Sequence, residues 1–186
     1  MGSRSFVGLI LGIAGAMAYR EYQALRTYDY SFDRNGDRWP DDITHYERGI
    51  PIWRHMDENF DGRTDYWEYY NADGEKTERS ERDNNFDGKV DGWGKWRDGQ
   101  VVEIQSDTDF NGQPDVTEFY SNCLLTSIEW RPNGTNIVTA RHNYLHGNPT
   151  EELRDLDYDG YFDVSVKFDR FFQPISTNHL RRSTIP

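Results

Sequence analysis

Asp57-Glu58-Asn59-Phe60-Asp61-Gly62-Arg63-Thr64-Asp65 decides the reading of this chain, because the same acidic nonapeptide returns three more times, beginning at Asp83, Asp107 and Asp155. Each copy keeps an acid or amide at the first, third, fifth and ninth positions and glycine at the sixth. Oxygen side chains at that spacing, around a glycine that permits a sharp turn, supply the hard ligands that a six- to eight-coordinate Ca2+ requires. The expected ligands are Asp57, Asn59, Asp61 and Asp65, then Asp83, Asn85, Asp87 and Asp91. Asp107, Asp109, Asn111 and Asp115 follow, and then Asp155, Asp157, Asp159 and Asp163. A single copy could be an ion-free turn, since Asp, Asn and Gly are ordinary turn formers. Four nearly complete copies in one register favour metal.

The register extends to two weaker copies. Stepping back 24 residues from Asp57 reaches Asp33, where Asp33, Asn35, Asp37 and Asp41 keep the oxygens but Arg38 replaces the glycine. This is a degraded loop that still counts among the expected calcium sites. Stepping 24 residues on from Asp107 reaches Arg131, where Asn133, Thr135, Asn136 and Thr139 leave no carboxylate, so this copy is expected to have lost its ion. The expected stoichiometry is therefore four or five Ca2+. An independent marker supports six repeats: thirteen residues after each first position stands an aromatic residue, namely Tyr46, Tyr70, Trp96, Tyr120, Tyr144 and Phe168. One two-residue insertion, between Asp57 and Asp83, breaks the step.

Each unit reads as loop, strand, turn, strand. Segments such as Tyr66–Tyr70 and Val116–Tyr120 are rich in aromatic and β-branched residues, and Asp98-Gly99 is a two-residue hairpin signal. Asn71 to Gly74, Gly49 and Gly147 mark the corresponding turns of other repeats. The expected fold is mainly β: an antiparallel meander of about six two-strand repeats, some twelve strands, with calcium loops along one edge and tight turns along the other. One propeller blade per repeat is excluded, because a blade needs four strands.

Hydrophobic residues are only 35% of the chain while aromatics are 15%, so the apolar surface comes from large rings that suit a thin sheet, and the aromatic markers are expected in its core. The lone Cys123 has no intrachain disulfide partner, which leaves metal as the staple. Sixteen of the 33 acids occupy ligand positions in the five acidic loops, and five Ca2+ would bring roughly +10 against a net charge of −12. Such a surface excludes nucleic acid as a partner, since phosphate binding needs a basic patch. Enzyme signals are poor. The five His are scattered, no Gly-rich phosphate loop or Gly-x-Ser-x-Gly elbow occurs, and the paired acids belong to the loops, so no catalytic residue is expected.

The loop spacing resembles that of the EF-hand, without amphipathic helices on either side. In its strand context it is more similar to the calcium loops of thrombospondin type-3 and integrin-type FG-GAP repeats. The whole 24-residue unit resembles repeats of bacterial exported proteins, over residues 33 to about 170. The EF-hand resemblance implies two further ligands, because Glu68 and Glu118 stand at the twelfth position, where that family places its bidentate carboxylate.

The N-terminus differs in kind. Phe6 to Ala18 is an uncharged apolar run behind Arg4, and Ala16-Met17-Ala18 is similar to a signal-peptidase site. No lipobox cysteine stands near it. The expected organisation is an uncleaved membrane-anchor helix and linker over 1–28, a six-repeat calcium domain over 29–170, and a tail over 171–186. The expected function is a non-enzymatic structural or accessory subunit, anchored in the inner membrane with its repeats in the periplasm, docking onto a larger membrane protein assembly. A cleaved signal gives the alternative, a freely secreted calcium-dependent adhesion or carbohydrate-binding module.

Overall fold

The computed structural model describes residues 27–132 and 135–180. The apolar run and its expected helix lie outside the described residues, as do Asn133 and the last six residues. The described residues form a mainly β chain, a thirteen-stranded antiparallel meander in which strand order follows chain order, with no helix. By contacts the chain divides into two compact units, with the boundary between Lys76 and Thr77.

The first unit holds β1 (Thr27–Phe32), β2 (Asp42–Glu47), β3 (Ile50–Met56) and β4 (Tyr66–Tyr70). Here the nonapeptides 33–41 and 57–65 join β1 to β2 and β3 to β4. The second unit holds β5 (Thr77–Arg82), β6 (Gly92–Arg97), β7 (Gln100–Ser106), β8 (Val116–Ser121), β9 (Leu124–Trp130), β10 (Ala140–Leu145), β11 (Asn148–Arg154), β12 (Val164–Phe168) and β13 (Pro174–His179). There the loops starting at 83, 107, 131 and 155 all fall at one end of the strands. The opposite ends close in tight turns. Arg48-Gly49, Asp98-Gly99, Asn122-Cys123 and His146-Gly147 all have positive φ at both residues, the pattern of the hairpin turn whose twist matches that of the strands. The two-residue insertion appears as the longer turn over 71–76, where the Asn71 side chain accepts from the Glu75 and Lys76 amides.

Six repeats supply twelve strands, β2 to β13, and β1 precedes the first loop. The last strand lies in the segment expected as a tail. Residues 174–179 pair with β12, and the Leu180 amide continues the ladder to the Asp163 carbonyl at 2.7 Å. A bulge recurs just before the aromatic marker in five repeats. His45 faces Trp53 while Tyr46 faces Pro51, and the same slip occurs at Trp96, Tyr120, Tyr144 and Phe168. The extra residue of two bulges is a threonine whose hydroxyl donates across the strand pair, Thr126 to the Phe119 carbonyl and Thr150 to that of Asn143. Such bulges increase local twist.

Burial inverts the usual order. Among the described residues only one hydrophobic side chain, Val164, is buried, and the six aromatic markers are half-buried. Seven of the eleven buried polar residues are loop aspartates at first or ninth positions: Asp41, Asp57, Asp65, Asp83, Asp91, Asp107 and Asp155. The interior that repeats along this chain is carboxylate. The aromatic surface instead forms stacks on the sheet, such as the series His45, Trp53, His55 and Trp67 in the first unit, with neighbouring ring centroids 4.9, 4.0 and 6.3 Å apart.

Candidate metal centre

Seven of the ten first and ninth aspartates are buried, where the sheet ladder runs through them. The Asp65 amide donates to the carbonyl of Met56, the last residue of the strand that enters its loop, and the Asp57 amide donates to the Asp41 carbonyl of the preceding loop, both at 2.8 Å. The second unit repeats the pattern with Asp107 to Asp91, Arg131 to Asp115 and Asp155 to Thr139. Within each unit, consecutive loops are thus tied together by a bond from the first residue of one to the ninth residue of the one before.

Within a loop the two buried carboxylates divide the backbone amides. Asp57 accepts from Phe60, Asp61 and Gly62, and Asp65 accepts from Glu58 and Asn59. Carboxylates that accept several amides are stabilised in the charged form, and bonds to an ionised acceptor are about twice as strong as neutral ones. Burial is the opposing and larger effect at Asp65: it pushes this carboxyl above the usual range, with further upward pressure from Asp57 and Asp61. Partly screened negative charge held at close quarters is the state that a bound cation relieves.

The fourth residue of each loop, Phe60, Phe86, Phe110 or Tyr158, takes the left-handed conformation with φ between 57° and 65°, and the sixth, Gly62, Gly88, Gly112 or Gly160, lies between 86° and 92°. Left-handed backbone at two alternate residues folds the first, third and fifth side chains to one side of the loop. The copy at Asp33 keeps this shape despite its altered sequence. Its glycine has moved to the fourth position, Gly36 at φ 82°, while Arg38 stands at the sixth with φ 83°. Asp33 still accepts from the Gly36 amide at 2.6 Å and the Arg38 amide at 2.8 Å.

One loop draws three carboxylates together. Asp155, Asp157 and Asp159 each offer an oxygen, and these oxygens lie within 4.8 Å of one another. Oxygens that each sit 2.3–2.6 Å from one Ca2+ are at most about 5 Å apart, so this donor set fits that ion in chemistry and spacing. Among the described residues no other three acidic, histidine or cysteine side chains meet this closely. In the other loops an asparagine holds the third or fifth position, and its amide oxygen would complete the set. In the loops at Asp33 and Asp57 that asparagine now donates through Nδ2 to the neighbouring aspartate, Asn35 to Asp37 at 3.0 Å and Asn59 to Asp61 at 3.2 Å. An ion there requires those amides to turn over.

The structure places other expected ligands elsewhere. Glu68 and Glu118 lie on the sheet face and accept from the hydroxyls of Tyr70 and Tyr120 at 3.1 and 2.5 Å, rather than joining the loop carboxylates. Burial, with this neighbouring carboxylate, pushes both tyrosines up to about 12. The ninth aspartates act as backbone clamps: Asp91 takes the Asn84 and Asn85 amides, and Asp115 takes both the amide and the hydroxyl of Thr108. At the carboxylate-free copy Arg131 turns onto the sheet. It donates to Thr117 Oγ1 at 2.8 Å and pairs with the buried Glu129, which Arg141 also contacts. That ion-pair cluster was not legible from the sequence, where Arg131 reads only as the absence of an acid.

No protein-family model matches the chain, and no curated protein does. Among solved structures the chain is similar to the crystal structure of accessory secretory protein 1,2 and 3 in Streptococcus pneumoniae, at 12% identity and a TM-score of 0.40. The similarity covers 64% of this chain and 26% of that one, so the chain spans about a quarter of that chain's length.

Proposed function

We propose that this chain is a non-enzymatic calcium-binding repeat protein, a rigid accessory subunit that docks outside the cytoplasm onto a membrane protein assembly. The observation that carries the calcium reading is the convergence of the Asp155, Asp157 and Asp159 oxygens within 4.8 Å, in a loop whose backbone shape recurs in the copies at Asp33, Asp57, Asp83 and Asp107. The first, third and fifth side chains would hold the ion, and the ninth would fix the start of the loop. Bound Ca2+ supplies charge compensation and rigidity, not chemistry on a substrate. Strands with two open faces and a scarcity of buried apolar side chains suit a platform for other proteins.

Anchoring rests on the apolar run Phe6 to Ala18 alone; among the described residues no helix is long and apolar enough to cross a membrane. A thirteen-residue helix would span only about 20 Å of a hydrocarbon core of about 30 Å, which argues for neighbouring helices from a partner. The test replaces residues 1–18 by a cleavable signal. The account expects a soluble, calcium-loaded sheet that no longer co-purifies with membrane partners after solubilisation. Normal function from that exported monomer would overturn the anchored-subunit reading.

A further inference from the structure

The second unit carries a cleft of about 440 Å³ beside the carboxylate-free loop, within the size range of small-molecule sites. Its floor is a patch of two strands in register, where Glu103 faces Phe119 and Gln105 faces Thr117. Its walls come from two consecutive loops, Gln113 and Pro114 from one and Thr135 and Asn136 from the other. Arg131, bonded to Thr117, also lines it.

The charges in this cleft are already matched. Glu103 is paired with Lys95 at 2.6 Å, and the Arg131 guanidinium is spent on Glu129 and Thr117. An anion would find no free cation among the lining residues and a carboxylate in the floor, and a cation would meet the Arg131 guanidinium. What remains is neutral and polar. The side-chain amides of Gln113 and Asn136 have no hydrogen-bond partner among the described residues, and the Gln105 carbonyl oxygen and the exposed Thr135 hydroxyl can accept more. Phe119 offers a half-buried ring that stacks with no other ring among the described residues. Its strand neighbour on the far side is the small Ser127.

We propose that this cleft binds a neutral saccharide: a pyranose ring whose C–H face lies on Phe119 while its hydroxyls exchange hydrogen bonds with Gln105, Gln113, Thr135 and Asn136. Amides and hydroxyls both donate and accept, as vicinal sugar hydroxyls require, and one apolar ring face beside several convergent polar groups gives the orientation. The site does not depend on calcium ligation by the loop at Arg131, which has no carboxylate. Its other wall, Gln113 and Pro114, belongs to the loop at Asp107, so calcium content is measured in the same samples, which separates failure of the cleft from failure of the proposed ion binding.

The test titrates the calcium-saturated full-length protein with neutral hexose and N-acetylhexosamine oligosaccharides, with inorganic phosphate as the anionic control. Saturation-transfer NMR reports contact and isothermal titration reports affinity. At least one neutral oligosaccharide should bind, with saturation transfer strongest at its ring C–H protons. The Gln113→Ala/Asn136→Ala double variant should weaken that binding by about tenfold or more with an unchanged melting temperature. Phe119→Leu, which keeps apolar bulk but removes the ring face, should weaken it similarly. Three results would overturn the proposal: no neutral saccharide of the panel binds, binding is indifferent to both variants, or phosphate binds in preference.

Discussion

Asp57 and Asp65 share out the backbone of a single loop: the first takes the amides of residues 60 to 62 and the second those of residues 58 and 59. Both are buried, whereas the third- and fifth-position oxygens between them face solvent. The acids of one motif therefore stand in two environments, and the roles proposed for them separate experimentally.

Asp65→Ala should destabilise the calcium-free protein by about 1–3 kcal/mol, because it strands two amides that a buried carboxylate now accepts. Asp61→Ala, at an exposed position, should cost the calcium-free protein well under about 1 kcal/mol while weakening calcium binding. Urea denaturation in chelator, paired with calcium titration, distinguishes the two. Equal effects of both variants on calcium-free stability would remove the clamp assignment.

Arg38 occupies a left-handed conformation that its counterparts fill with glycine. Nothing lies within 4 Å of where a Cβ would project at the equivalent Gly62, so backbone strain rather than crowding sets the preference. Arg38→Gly should stabilise the first unit by about 1 kcal/mol, the cost of left-handed backbone for a residue with a side chain. A lower denaturation midpoint in the variant would contradict this.

Tyr120 has its hydroxyl on Glu118 and is pushed up to about 12 by burial and by that carboxylate. The raised value means the neutral phenol is favoured in the fold. This contribution is fully present below the ordinary value of 10.0 and is lost as pH rises through about 12. Glu118→Gln should lower the Tyr120 midpoint in an absorbance titration of tyrosinate. An unchanged midpoint would mean that burial alone sets it.

Asp87→Ala should reduce metal content and destabilise adjoining strands, whereas Thr135→Ala should leave metal content as it is. Native mass spectrometry should count four or five Ca2+ per chain. Six would mean that the copy at Arg131 binds an ion without a carboxylate.

The loops, their spacing, the turns at Asp98-Gly99 and Gly147, and the antiparallel meander were all legible in the sequence, because each rests on a local rule repeated along the chain. The second strand of the sixth repeat was not. Its turn is the longer segment over 169–173, organised by Asp169 accepting from the Phe171 and Gln173 amides, and lacks the two-residue signal of its counterparts. The different surroundings of first, third and ninth aspartates were equally hidden, since sequence gives the same carboxylate and only register along the ladder separates a buried clamp from an exposed oxygen. Glu68 and Glu118 show the same limit. Spacing alone offers them to the loop, but strand alternation and a tyrosine two residues on hold them on the sheet face. The aromatic markers were expected as core; in a single sheet they are only half-buried.

The most direct test of the calcium account compares thermal unfolding of the full-length protein in Ca2+, in Mg2+ and in excess chelator, with metal counted in the same samples. At a free Ca2+ concentration a hundredfold above the dissociation constant, each site adds about 2.7 kcal/mol, so several sites should raise the melting temperature markedly. Mg2+, which keeps its waters and demands octahedral geometry, should do far less. A melting temperature unchanged by chelator, in protein that carries no calcium, would show that these loops are hydrogen-bonded turns and nothing more.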